Sequence, residues 1–185
     1  MPRKSSNAIS LHAIILASNL IVPSLSSNLG VSFSPAGLLT PYHLGVAYQL
    51  SSMNFITKET SLAGSSGGAL AAATSALDID PMVSLKACCD IAEQCLELGT
   101  WGTLQQALDE KLTYILPENS AELILSRPGQ TRIAYTEVFP KFKSRIISEF
   151  TSKKDLIQVL HASCNIPFYY SGYPAVRLRN FAYGI

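Results

Sequence analysis

The residues best suited to chemistry in this chain are a serine and the glycines around it, Gly64-Ser65-Ser66-Gly67-Gly68. The spacing Gly64-x-Ser66-x-Gly68 is that of a nucleophile elbow. There a sharp strand-to-helix turn projects a serine hydroxyl, and the glycines let strand and helix approach without a side chain between them. A helix beginning near Gly67 adds its positive end and free N–H groups close to where an oxyanion would form. An ordinary Gly/Ser-rich turn has the same composition, and a phosphate-binding loop is a further alternative. A Walker-type loop wants Gly-Lys-Ser/Thr, and no lysine lies between Lys58 and Lys86. Neither this cluster nor the turn at Gly37 has the G-x-G-x-x-G spacing of a dinucleotide fold.

Other reactive side chains are scattered. Cys88, Cys89, Cys95 and Cys164 form no C-x-x-C pair, and no histidine sits at ligand spacing from them, so neither a metal nor another cofactor is expected. Cys89 shares a helical stripe with Met82, Leu85, Ala92 and Leu96, which reads as small buried thiols in a reduced protein. His43 and His161 fall on helical segments and His12 near the N-terminus, so each reads as a surface or core residue. Asp78, Asp80, Asp90, Asp109 and Asp155 lie on or beside helices, where capping or solvation accounts for them.

The elements that must position the serine can be read around it. Leu29–Phe33 is a short strand, followed by the turn Ser34-Pro35-Ala36-Gly37 and a helix that tolerates Pro41 in its first turn. Ser61-Leu62-Ala63 is a second strand, ending in the glycine-serine cluster, and the alanine-rich run Gly68 to Leu77 is helical. Asp80-Pro81 is a cap with proline at the first helical position, opening a helix to about Leu98. Leu104 to Leu116 is a further helix. Strands are expected at Arg132–Thr136 and Ser144–Ser148, and Ser152-Lys153-Lys154-Asp155 is a capping box before Leu156. Strands alternating with helices imply an α/β domain, three layers α/β/α around a largely parallel central sheet.

The composition agrees. The 185 residues suffice for one core, 48% are hydrophobic, 15% are charged and the formal net charge is +1. Mixed charges leave no basic stripe, so a nucleic-acid partner is not expected. No acidic residue precedes Glu59. Arg3 and Lys4 lead into an apolar stretch from Ala8 to Val22 and then Pro23-Ser24-Leu25-Ser26-Ser27. Residues 1–28 therefore read as a leader, either a targeting or membrane-attaching segment or an amphipathic or disordered one, and residues 29–185 as the domain. The leader sets two expected locations: membrane-associated, or secreted or organellar.

Three ordered motifs resemble the patatin-like phospholipases, with the adipose triglyceride lipase branch nearest. Ser32–Leu39, with Tyr42-His43-Leu44-Gly45-Val46 after it, resembles the glycine-rich oxyanion segment and the helix behind it. Leu62–Leu70 resembles the elbow. Ser148-Glu149-Phe150, Asp155-Leu156-Ile157 and Ala162–Phe168 continue the pattern, so the resemblance runs from about Gly30 onward. It implies a lipid acyl hydrolase without cofactor, acting on glycerolipid or phospholipid at a membrane or lipid-droplet surface. Ser66 would be the nucleophile of a Ser–Asp dyad in which no histidine takes part.

Two departures from that pattern shape the expectations. Pro35 stands where the oxyanion segment normally begins with glycine, and proline has no N–H to donate. The hole must then use Ala36, Gly37 or Leu38 with the N–H of Gly67. The family places an aromatic-x-Asp-Gly motif just after Pro174–Arg179, where this chain reads Phe181-Ala182-Tyr183-Gly184-Ile185. Tyr183 stands where the basic Asp is expected, and a phenol with a pKa of about 10 does not replace a carboxylate. The domain is thus expected to be incomplete at its C-terminal end. The alternative to a working enzyme is a lipid-binding core with impaired turnover. Phe168, Tyr169, Tyr170 and Tyr173 are candidates to line the pocket.

Overall fold

The computed structural model describes residues 30–179 and 182–184, so the leader expected over residues 1–28 lies outside the described part. β1 (Gly30–Phe33) runs into a 3-10 turn (Gly37–Leu39) and α1 (Thr40–Ser52). β2 (Ser61–Ser65) leads directly into α2 (Gly67–Ala76). α3 (Pro81–Leu98), α4 (Leu104–Ile115) and α5 (Ser120–Leu125) follow before β3 (Thr131–Phe139) and β4 (Lys143–Ile147). α6 (Lys153–Cys164), β5 (Val176–Leu178) and β6 (Ala182–Gly184) complete the described chain.

Local chemistry fixes the element starts. Asp80 accepts from the Met82 N–H at 2.8 Å, with Pro81 behind it, which supplies one of the orphan N–H groups of α3 with a partner. Ser152 caps α6 by accepting from the Asp155 N–H at 3.1 Å. The return bond of the capping box is displaced by one residue, because the Asp155 carboxylate accepts from the Thr151 N–H at 2.9 Å.

The sheet runs β1-β2-β3-β6-β5, with β4 also paired to β3. β1, β2 and β3 are parallel neighbours, joined by the helical crossovers that parallel strands require. β4 and β6 run against β3, and β5 runs against β6. Four strands therefore point one way, and helices flank them in the expected three-layer α/β arrangement. Ala69, Ala71, Ala72 and Ala73 of α2 are buried, and that helix packs on β1, β2, β3 and α1. Side chains this small let the helix lie close to the sheet. Leu156, Val159 and Leu160 of α6 are fully buried against β3 and β5. No helix among the described residues is long and apolar enough to cross a membrane.

Several expectations are corrected. α3 buries Ser84, Ala87, Ile91 and Cys95, whereas Met82, Cys89, Ala92 and Leu96 are exposed. The stripe of Ser84, Ala87, Ile91 and Cys95 is the one packed against α1 and α4, while Cys89 and Ala92 stay exposed at its margin. The short helix α5 was not anticipated, and β3 extends to Phe139 rather than ending at Thr136. For Asp155 the capping account holds through the Thr151 N–H, whereas solvation does not. Asp155 is buried, and both nitrogens of the Arg179 fork donate to it. Burial raises its pKa, but the Arg179 charge and the Thr151 N–H outweigh that and hold it below the usual carboxylate range.

Candidate functional site

The site is built where the parallel strands end. β2 stops at Ser65, paired with Ala134 of β3, and α2 begins at Gly67. Ser66 between them has φ 52° and ψ −130°. A residue with a side chain pays about 1–3 kcal/mol in such a region and stays only when its surroundings hold it there. The glycines make the turn possible by leaving no gap. A Cβ on Gly64 would sit 2.2 Å from Gly68 O, and one on Gly68 would sit 2.3 Å from Phe33 O.

The Ser66 carbonyl accepts from the Ala69 N–H at 2.8 Å, opening the helix behind it. Its own N–H donates to Ser163 Oγ at 2.8 Å, and the Ser163 hydroxyl donates to Ala134 O at 2.6 Å. Ser66 N–H is therefore already used. Among the elbow amides, Gly67 N–H at the positive end of α2 is the one suited to receive an oxyanion.

The segment Pro35-Ala36-Gly37-Leu38 lies against that helix start. A Cβ on Gly67 would meet Thr40 Oγ1 at 2.3 Å, Gly37 N at 3.1 Å and Ala36 Cβ at 3.2 Å. Gly37 has φ 52°, and Thr40 Oγ1 donates to its carbonyl at 2.7 Å, which fixes the bend. His43 donates from Nε2 to Ser34 O at 2.9 Å and packs edge-on against Phe33. That histidine braces the loop.

Ser66, Gly67, Gly37 and Leu38 open onto a cavity of about 400 Å³. Its walls come from Leu70 of α2, Ile91 of α3 and Leu104, Leu108, Leu112 and Ile115 of α4. Three thiols, Cys88, Cys89 and Cys164, also face it. Burial pushes Cys88 up to about 11 and Cys164 up to about 12, the latter although the Ser66 side chain pulls it down. Both stay protonated at neutral pH and act as apolar wall. Among the described lining residues Lys111 is the one charged side chain, and its ammonium is paired with Asp90 at 2.7 Å. No carboxylate is among them.

Of the expected aromatic lining, Tyr169 and Tyr170 line the cavity, while Phe168 and Tyr173 do not. The backbone of Tyr183 is paired in β6 opposite Phe139, five residues past Ala134, on the side toward which β2 and β3 run out. Two features escaped sequence reading. One is Ser163, whose partners lie 97 and 29 residues away. The other is a chain from the buried side chains of Tyr170 and His161 to the exposed Asp109, in which Tyr170 donates to His161 Nδ1 at 2.6 Å and His161 Nε2 donates to Asp109 at 2.9 Å. Asp109 fixes the tautomer by accepting from Nε2, which leaves Nδ1 as the acceptor.

A model of the patatin-like phospholipases matches residues 31–183. The human omega-hydroxyceramide transacylase is 29% identical over an alignment of 146 residues, and the match covers 75% of this chain and 27% of that protein. The chain thus spans about a quarter of that relative's length.

Proposed function

Because the chain belongs to the patatin-like phospholipase family, we propose that it transfers acyl groups of lipid esters through Ser66. One observation carries this reading: a serine held at positive φ between β2 and the N-terminus of α2, opening onto an apolar cavity. The Ser66 hydroxyl attacks the acyl carbonyl, and the oxyanion is received by Gly67 N–H with an N–H from Ala36, Gly37 or Leu38. The acyl chain lies along Leu70, Leu108 and Leu112. The ester C–O bond breaks and the leaving oxygen departs as an alcohol carrying the proton lost by Ser66. Water or a second lipid alcohol then attacks the acyl-serine, takes the acyl group and returns a proton to Ser66 Oγ. Water makes the protein a hydrolase and the alcohol makes it a transacylase, the activity named for the human relative. The substrates we assign are glycerolipids or phospholipids, and the likeness of Ser32–Leu39 and Leu62–Leu70 to the adipose triglyceride lipase branch supports that choice.

A second reading is favoured by the lining itself. No carboxylate among the described residues lines the cavity, so this stretch binds acyl chains and turns them over poorly for want of a base. Loss of a general base costs about 10²–10⁴-fold in rate. The experiment is ester hydrolysis and lipid-to-lipid acyl transfer by the chain, beside Ser66→Ala and Tyr183→Asp. Turnover that disappears in Ser66→Ala supports the enzyme. Turnover that is absent in the parent and emerges in Tyr183→Asp supports the binding core lacking only its base. Turnover unchanged in Ser66→Ala removes Ser66 from the reaction.

A further inference from the structure

We propose that Ser163 is a positioning residue that holds the elbow serine in its reactive conformation. The inference rests on the reading of Ser66 as nucleophile, and it starts from how the β2–β3 ladder stops. The last rung joins Ser65 to Ala134. At Ser66 the chain turns away from β3, with φ 52° and ψ −130°. Ala134 O and Ser66 N–H do not meet directly; Ser163 Oγ stands between them, donating to the first at 2.6 Å and accepting from the second at 2.8 Å. The directions are forced, since a carbonyl can only accept and an amide can only donate. One hydroxyl thus adds a rung beyond the end of the ladder.

That hydroxyl sits on the last turn of α6 and is buried, with Ser163 8% exposed. It ties three elements to one point: the strand-to-helix turn, the middle of β3 and the C-terminal end of α6. The next residue, Cys164, lines the same cavity as Ser66. A residue at positive φ is kept there by its surroundings, and among the described residues Ser163 supplies the one side-chain bond to its backbone. Engaging Ser66 N–H also keeps that donor aimed at β3, away from the place where Gly67 N–H meets developing charge.

The test uses the 185-residue chain with Ser163→Ala, Ser163→Thr and Ser163→Cys. Ile124→Ala, a buried change outside the cavity, serves as a control for general destabilisation. Two readouts are taken: labelling of Ser66 by a long-chain alkyl fluorophosphonate, split into limiting rate and half-saturating concentration, and hydrogen exchange at the Ser66 amide. Misplacing a reacting atom by an ångström costs about 10²-fold, so Ser163→Ala is expected to lower the limiting rate by about that factor at unchanged half-saturation. It also speeds Ser66 amide exchange, because that bond has gone. Ser163→Thr keeps the hydroxyl and restores both, Ser163→Cys falls between, and Ile124→Ala leaves the limiting rate in place. Parent-like labelling together with a protected Ser66 amide in Ser163→Ala overturns the proposal. If Ser163→Ala does not fold, equal behaviour of the Thr and Cys variants overturns it. A parent that takes no label defeats the nucleophile reading alone, and amide exchange still decides the clamp.

Discussion

Helix α4 is the shared wall of two hollows built on opposite chemistry. Leu104, Leu108, Leu112 and Ile115 face the cavity beside Ser66. Gln105, Asp109 and Thr113, one position along, face a cleft of about 560 Å³ with Lys153, Lys154, Gln158 and His161. The cleft holds the charges, yet the serine opens onto the other. Charge therefore does not mark the site here. An apolar wall excludes water from an acyl chain and strengthens each hydrogen bond made to an oxyanion. In the cleft, Lys153 donates to Thr113 O and pairs with Glu118, and His161 is held between Asp109 and Tyr170. These polar groups serve to fasten helices together.

The largest effect that would sharpen this contrast is on the apolar side. Leu112 is 2% exposed and lines the cavity, so Leu112→Ala removes packing that cannot refill and costs about 3 kcal/mol. Thr113→Ala, on the exposed cleft face, costs within about 0.5 kcal/mol. Urea titration of both variants checks the difference; equal losses would break the comparison.

An intermediate effect is expected from acid. Burial holds His161 below its ordinary value of 6.5, although Asp109 pulls the other way. The folded pKa lies beneath the unfolded one, so the unfolded chain takes the proton first as pH falls. This contribution is complete above about 6.5 and drains away below it, down to the folded pKa. Denaturation midpoints at pH 7.5 and 5.5 should therefore fall with pH, and His161→Gln should flatten the fall. A level profile in the parent would show that the cleft histidine is not held neutral. The smallest effect is at the boundary between the hollows. Lys111→Met leaves Asp90 with Lys86 and changes stability by no more than about 1 kcal/mol, since both partners of the lost pair are partly in water. A larger loss would mean that the apolar cavity depends on its one cation.

The cavity side was the more legible in sequence. Glycine spacing around Ser66, the Asp80-Pro81 start and the Ser152 cap are local signals, decided by residues within four positions of one another. Ser163 was visible only as part of a family motif, because its partners are set by the register of β2 on β3 and by where α6 ends. The cleft was not legible at all. Asp109 and His161 are 52 residues apart, and each alone looks like an ordinary helical residue. On α3, periodicity put Cys89 on one stripe with Met82 and Leu96, and packing against α1 and α4 buried Ala87, Ile91 and Cys95 instead. The side chain of Tyr183 lies outside what the structure describes, so the expectation of a missing base rests on the family motif and on the cavity lining.

The positive φ of Ser66 also has a consequence for anyone breeding this protein for heat resistance. Glycine is the residue that would occupy that turn without strain, and Ser66→Gly keeps the N–H that Ser163 receives. A selection that rewards melting temperature alone would therefore drift toward Ser66→Gly, choosing the sturdier molecule and discarding its hydroxyl. If Ser66 is the nucleophile proposed above, robustness and reactivity compete at a single codon, and improvement programmes need that position locked.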